Sequence, residues 1–180
     1  MDFSSCRDLI DIGGGSGGLA IAMAERWTNL SVTIADLPAN EAVAQRFVAE
    51  AGLSDRIHVR PTDVVKEPLG GPYDAGVMRG LLPVLTPAQI RGVLANVHAA
   101  LRPDSSLYVV GWILDDSRMS PLSYATYNLL FVNDYTDALI HTEAEHRAWL
   151  EEAGFDFVRR QRTAATYAAD FILARKRVSN

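Results

Sequence analysis

Hydrophobic positions along the chain change period in a regular way, from runs of apolar and β-branched residues to helix-spaced stripes and back. Arg7–Ile12 is a short apolar run and predicts a strand; Leu19–Trp27, rich in Ala and Met, predicts a helix. The β-branched stretch Ser31–Ala35 predicts a second strand. Pro38–Ala51 follows as a helix, with Gly52 as its stop. Arg56–Arg60 alternates, with Ile57 and Val59 inward and His58 and Arg60 outward; Tyr73–Met78 gives a fourth strand. Thr86-Pro87-Ala88-Gln89 has the form of a capping box with proline at the first helical position. Ile90, Val93, Leu94, Val97 and Leu101 then make one apolar stripe. Leu107–Leu114 is almost continuously apolar, as expected of a central strand buried on both faces.

A second capping box, Thr142-Glu143-Ala144-Glu145, opens a helix ending at Gly154. Phe155–Arg160 and Tyr167–Arg175 follow as two strands whose connection is too short for a crossover helix, so they run antiparallel. Alternating strand and helix with this closing pair predicts a doubly wound α/β sheet carrying one reversed strand near the C-terminus. With 180 residues, the whole of 1–180 is expected to be a single domain.

Composition narrows the class of partner. The net charge of −5 and the lack of a dense Lys/Arg run speak against nucleic acid. The one basic cluster, Arg159-Arg160-Gln161-Arg162, reads as a solvated strand edge. No segment is long and apolar enough for a membrane span, and no membrane partner is expected. A single cysteine, Cys6, excludes an internal disulfide and fits a cytoplasmic location. His58, His98, His141 and His146 show no ligand spacing, so no metal is expected.

The densest chemistry lies in "DIGGGSGG", residues 11–18, with five glycines within six residues immediately after the first strand. Glycines there allow a tight strand-to-helix turn and close approach of the backbone to a ligand. The stretch also satisfies Gly13-x-Gly15-x-x-Gly18, so the glycines alone leave a dinucleotide open. Asp36 ends the second strand about 20 residues on, where a carboxylate can accept from ribose hydroxyls. Asp11, just before the turn, opposes a diphosphate and suits a sulfonium or an amino group. A nicotinamide dehydrogenase is the alternative that the spacing supports. Its Tyr-x-x-x-Lys pair is missing, because Thr62 and Ile172 stand four residues before Lys66 and Lys176.

Together "DIGGGSGGLAIAMAER", "IADLP" and "RPTDVVKEPLGGPYD" resemble successive motifs of the class I S-adenosylmethionine-dependent methyltransferases. The nearer likeness is to small-molecule O-methyltransferases of the caffeic acid and bacterial polyketide type, and "TYNLLFVNDYTDALIHTEAEHRAWLEEAGF" fits that family's segment between strands five and six. The resemblance implies a Rossmann-like seven-stranded sheet and S-adenosylmethionine as cofactor. Carried over by position, Asp11 and the backbone of Gly13, Gly14, Gly15 and Gly17 meet its methionine portion. Asp36 holds the ribose with Leu37 beside the adenine, while Asp63 and Val64 read the adenine. Arg79 stands where the family often has a lysine.

The resemblance also implies a basic histidine after the fourth strand, with two glutamates to orient it. Pro83, Gly111 and Ile140 occupy those positions, and none can move a proton. An acceptor that ionises by itself (an acidic phenol, hydroxyquinone or enolate) is then expected. His141 is the leading replacement base, with His146, Asp115, Asp134 and Tyr135 as other candidates; His141 and His146 are both expected to be solvated. The family's N-terminal helical domain has no counterpart in the chain. Such a domain is expected to be truncated or supplied by another polypeptide, with Leu122–Val132 as a possible surface for that partner or for a second copy. Methyl transfer to a small acceptor is the leading functional reading. A non-methylating relative or auxiliary subunit using the same pocket is the alternative.

Overall fold

The structure, a computed structural model, describes residues 1–134, 139–162 and 170–178; in the helix over 122–134 it describes side chains as far as Asn128. The strands are β1 (Asp8–Ile12), β2 (Ser31–Asp36), β3 (Ile57–Pro61), β4 (Tyr73–Arg79), β5 (Leu101–Gly111), β6 (Phe155–Gln161) and β7 (Asp170–Lys176). The helices are α1 (Gly18–Arg26), α2 (Glu41–Glu50), α3 (Pro87–Ala100), α4 (Leu122–Asp134) and α5 (Glu143–Glu152). The sheet has seven strands in the order β3-β2-β1-β4-β5-β7-β6, and β7 alone runs antiparallel to its neighbours. The predicted doubly wound sheet with one reversed strand is therefore present. Strand order reverses between β1 and β4, and a crevice opens at their carboxyl ends, where open α/β sheets hold ligands.

Two apolar layers cover the two faces. Ile10, Ile12, Leu107 and Val109 pack with Ile90, Leu94, Trp149 and Leu150 of α3 and α5. Leu9, Val32, Ile34, Tyr108 and Val110 pack with Ala20, Met23 and Val48 of α1 and α2. This alternation is the period-2 pattern of strands buried on both faces. Phe3 closes the second layer, edge-on to Trp27 and Tyr108 at 5.1 Å each.

Both capping boxes form with reciprocal bonds: Thr86 with Gln89, and Thr142 with Glu145. Three boundaries differ from the sequence expectation. Leu101 ends α3 as its cap and begins β5, so the strand starts six residues earlier than its apolar run suggests. Pro38–Asn40 forms a 3-10 turn before α2. Ile113 and Leu114 lie beyond β5, where Leu114 bridges to Thr142. Tyr167, where the last strand was expected to begin, lies outside the described residues.

Candidate active site

The turn between β1 and α1 needs its glycines for distinct reasons. Gly13, Gly15 and Gly17 have φ of 69°, 56° and 85°, a region that L side chains rarely enter. Gly14 is required by space instead, because a Cβ there would lie 2.8 Å from Asp11 Oδ2 and 2.9 Å from Ile34 Cγ2. At Gly15 and Gly18 an added Cβ would meet nothing within 4 Å, so the outer surface of the turn is open.

Asp36 closes the turn from β2. Its Oδ2 accepts from the Gly15 amide at 2.6 Å; its Oδ1 accepts from Leu37 N at 2.7 Å and Asn40 Nδ2 at 2.8 Å. A carboxylate has about four acceptor sites, so these bonds leave one on Oδ2. Asp36 can take one further donor as it stands, and a second only if Asn40 gives way. Asp36→Ala removes all three bonds and is expected to lower the unfolding free energy in urea by about 1–3 kcal/mol.

Asp11 is fully buried, and neither of its carboxyl oxygens finds a hydrogen-bond partner among the described residues. Burial, followed by the charge of Asp36, pushes its carboxyl up to about 7; Arg79 opposes that shift. Asp11, Gly13, Gly14, Ser16, Gly18, Leu19 and Arg79 line a hollow of about 150 Å³. That is below the several hundred Å³ usual for a ligand pocket, so it can enclose only one end of a nucleoside-sized ligand.

The other cofactor candidates flank this hollow. Leu37 is half exposed. The Thr62 amide donates to the Asp36 carbonyl at 2.7 Å and so brings the loop of Asp63 beside Asp36. Asp63 Oδ1 accepts from Val65 N, and Oδ2 pairs with Lys66 Nζ at 2.9 Å, which holds its carboxyl below the usual range. Val64 points into the α3 layer and is only 7% exposed. The open apolar face expected of it is therefore almost wholly covered.

The 3-10 turn Leu82–Val84 follows β4 and carries Pro83. Pro83 and Gly111 line one hollow of about 10 Å³, and the Pro83 carbonyl accepts from Leu139 N at 3.0 Å, the residue before Ile140. The three positions thus converge, and no side chain among them can accept a proton.

His141 and His146 are corrections: each is only 4% exposed, not solvated. Both pack on Trp149, with ring centroids 4.8 and 6.1 Å away, which removes them from water. His141 Nε2 has no partner among the described residues, and burial lowers its pKa. His146 lines the Pro83 hollow, its Nδ1 lies 2.7 Å from the Thr142 carbonyl, and burial lowers its pKa to about 4. Asp115 is engaged by Arg160 and Arg162. Tyr135 and the Asp134 side chain lie outside the described residues.

Arg160 overturns the reading of its cluster as a solvated edge. Its side chain is 4% exposed and forks onto Asp170, with further bonds to Asp115, Glu143 and the carbonyls of Ile113 and Leu114. Strand alternation misleads here: counted from Phe155 and Phe157 it turns position 159 inward, and only the register shift between Phe157 and Arg159 brings Arg160 to the covered side. Leu122–Val132 lies within α4. Leu122 and Tyr127 are exposed at 71% and 37%, and the side chains of 129–132 lie outside the described residues. Among the described residues no group of metal-ligating side chains gathers, and no helix is long and apolar enough to cross a membrane.

Residues 1–156 match the model of the O-methyltransferase domain family. The chain is 30% identical over 165 residues to 3-hydroxy-5-methyl-1-naphthoate 3-O-methyltransferase of Streptomyces sahachiroi, covering 92% of this chain and 48% of that protein. It is 33% identical over 176 residues to acetylserotonin O-methyltransferase of Bos taurus, covering 98% and 50%. Among solved structures, the S-adenosylmethionine-dependent methyltransferase SibL in its apo form superposes with a TM-score of 0.89 at 28% identity, covering 98% of this chain and 52% of that one. The chain spans about half the length of the relatives it matches.

Proposed function

Because this chain belongs to the O-methyltransferase domain family, whose cofactor is S-adenosylmethionine, we propose that residues 1–180 are one domain that binds this nucleoside. We propose further that it directs methyl transfer to an acceptor hydroxyl on a small aromatic or polyketide-like molecule. The observation that carries this reading is Asp11: a fully buried carboxyl without a partner, under an open glycine turn. A cation fits that arrangement and a diphosphate does not. When bound, the sulfonium supplies an electrophilic methyl group. Asp11 faces the positive end of the ligand, and the turn from Gly13 to Gly17 admits it close to the backbone. Asp36 accepts from the sugar. Leu37, Asp63 and the small exposed part of Val64 border the base, while Arg79 places a cation at the mouth of the hollow.

On the acceptor side, Pro83, Gly111 and Ile140 exclude water and move no proton. An acceptor that ionises without help suits this site, because alignment alone can supply much of the rate. Met119, Leu122, Tyr127 and Leu139 expose apolar surface on the segments around it. A lid domain or partner chain covering them would complete the acceptor pocket. The empty base position also favours a second reading, an auxiliary subunit that holds the cofactor without methylating.

Calorimetry with S-adenosylmethionine and its demethylated product tests the binding step; absence of heat for both, with folded protein, sinks the reading. Labelled-methyl transfer to acceptors of graded acidity, with and without a lid domain, tests the chemistry. Transfer confined to acidic hydroxyls in the presence of the lid is expected. Binding without any transfer selects the auxiliary subunit.

A further inference from the structure

Asp11 shares the strand parity of Leu9, so its side chain enters the layer shared with α1 and α2 rather than water. Ile34 and the Gly14 backbone pack over it, and the first turn of α1 brings no acid. Two charged groups face it: Asp36 at the end of β2, which disfavours its ionised form, and Arg79 at the end of β4, which favours it. The Ala20 amide pulls in the same direction as Arg79, without hydrogen-bond geometry to either oxygen. A buried carboxylate without donors is costly, whereas the protonated acid is not. Asp11 is also among the residues that line the hollow a ligand enters, with the Gly14 backbone between its carboxyl and solvent.

We propose that Asp11 is held as the neutral acid in the empty cleft and gives up its proton when a ligand's positive charge settles beside it, so that cofactor binding is coupled to proton release. This inference rests on the S-adenosylmethionine reading above and deepens it. The balance is simple: one carboxyl O–H breaks, the proton leaves to buffer, and the carboxylate remains opposite the ligand cation. Arg79 stays charged throughout and compensates part of the new charge. The coupling makes the cleft select for charge: a neutral ligand of the same shape leaves the acid protonated and gains nothing from it.

With the value of about 7 that burial gives this carboxyl, linkage sets the size of the effect. Affinity for S-adenosylmethionine is expected to weaken roughly tenfold from pH 8 to pH 6. Titration calorimetry at pH 6 in phosphate and in a buffer of high ionisation enthalpy is expected to show close to one proton released per ligand, and almost none at pH 9. The demethylated product separates the two possible cations. Equal release with product assigns the partner to the amino group that both ligands carry, and release with S-adenosylmethionine alone assigns it to the sulfonium.

Asp11→Asn is expected to flatten the pH dependence and abolish the buffer-dependent heat. A urea melt checks that this variant folds. Infrared difference spectra of the wild-type chain give a readout that needs no variant, the loss of a protonated-carboxyl C=O band on adding ligand. Binding at pH 6 with buffer-independent heat and no loss of that band overturns the coupling and leaves the cofactor assignment standing. Absence of binding at every pH overturns both.

Discussion

Arg160→Ala is expected to lower the unfolding free energy by roughly 3–5 kcal/mol, the cost of stranding a buried charge. The guanidinium donates to Asp170 Oδ2 from Nε at 3.1 Å and from Nη2 at 2.7 Å, and both side chains are almost wholly buried. Nη1 reaches Asp115 at 3.1 Å, Leu114 O at 3.4 Å and Glu143 at 3.5 Å, while Nη2 also donates to Ile113 O. One side chain therefore ties β6 to β7, to the exit of β5 and to the first turn of α5. Alanine takes the guanidinium off the buried Asp170 carboxylate, which the Tyr124 hydroxyl approaches at 3.4 Å. The double variant Arg160→Met with Asp170→Asn removes both charges and should recover most of the loss, because removing one member of a buried ion pair costs more than removing both. Urea unfolding of the two variants decides between this account and a surface ion pair, which would cost under about 1 kcal/mol in either. Since Arg160 holds the carbonyls of Ile113 and Leu114, two and three residues past Gly111, the single variant should also loosen the wall of the acceptor side.

That ion network marks where sequence reading ran out. Strands were legible because burial imposes a period on them: Leu107 to Val110 are buried on alternate faces, as a continuous apolar run requires. Caps were legible because Thr86 and Thr142 each carry their partner three residues on, a pattern that is local in sequence. The glycine turn and its flanking acids were legible for the same reason, since the glycines and Asp11 lie within eight consecutive residues and Asp36 ends the next strand. His141 was misjudged because the Trp149 ring, eight residues on, covers it; His146 precedes Trp149 by three residues on α5, so helix spacing signalled their shared face and was overlooked. Arg160 was misjudged because its principal partner, Asp170, becomes its neighbour only through the antiparallel pairing of β6 and β7. α4 gave no amphipathic stripe, its apolar residues being spread around the helix, so periodicity did not announce it.

The rate of methyl transfer is expected to rise about tenfold per pH unit until the acceptor's own pKa is reached, and then to level off. Its position should move with the acceptor and not with the protein. The argument rests on what lies around Pro83. His146 is the one imidazole on that hollow; burial holds it neutral down to about pH 4, and its Nδ1 is committed to the Thr142 carbonyl. His141 is buried, with its pKa lowered for the same reason. His146 is therefore neutral throughout the range above pH 6 and introduces no inflection in kcat there, and burial moves the titration of His141 below that of an ordinary imidazole. The Asp11 carboxyl is also pushed up to about 7 by burial, but on the proposed reading it meets the cofactor and so acts on the cofactor's KM, which should fall as pH rises. The two dependences are separated by measuring kcat at saturating cofactor over pH 6–9 for two phenols of different acidity. A positioned base is worth about 10²–10⁴ in rate, so at pH 7 the weaker acid should lag by an amount set by its own ionisation, with nothing from the protein to offset it. An inflection in kcat that stays at one pH for both acceptors would place a proton acceptor in this site and remove the reason for requiring an acidic substrate.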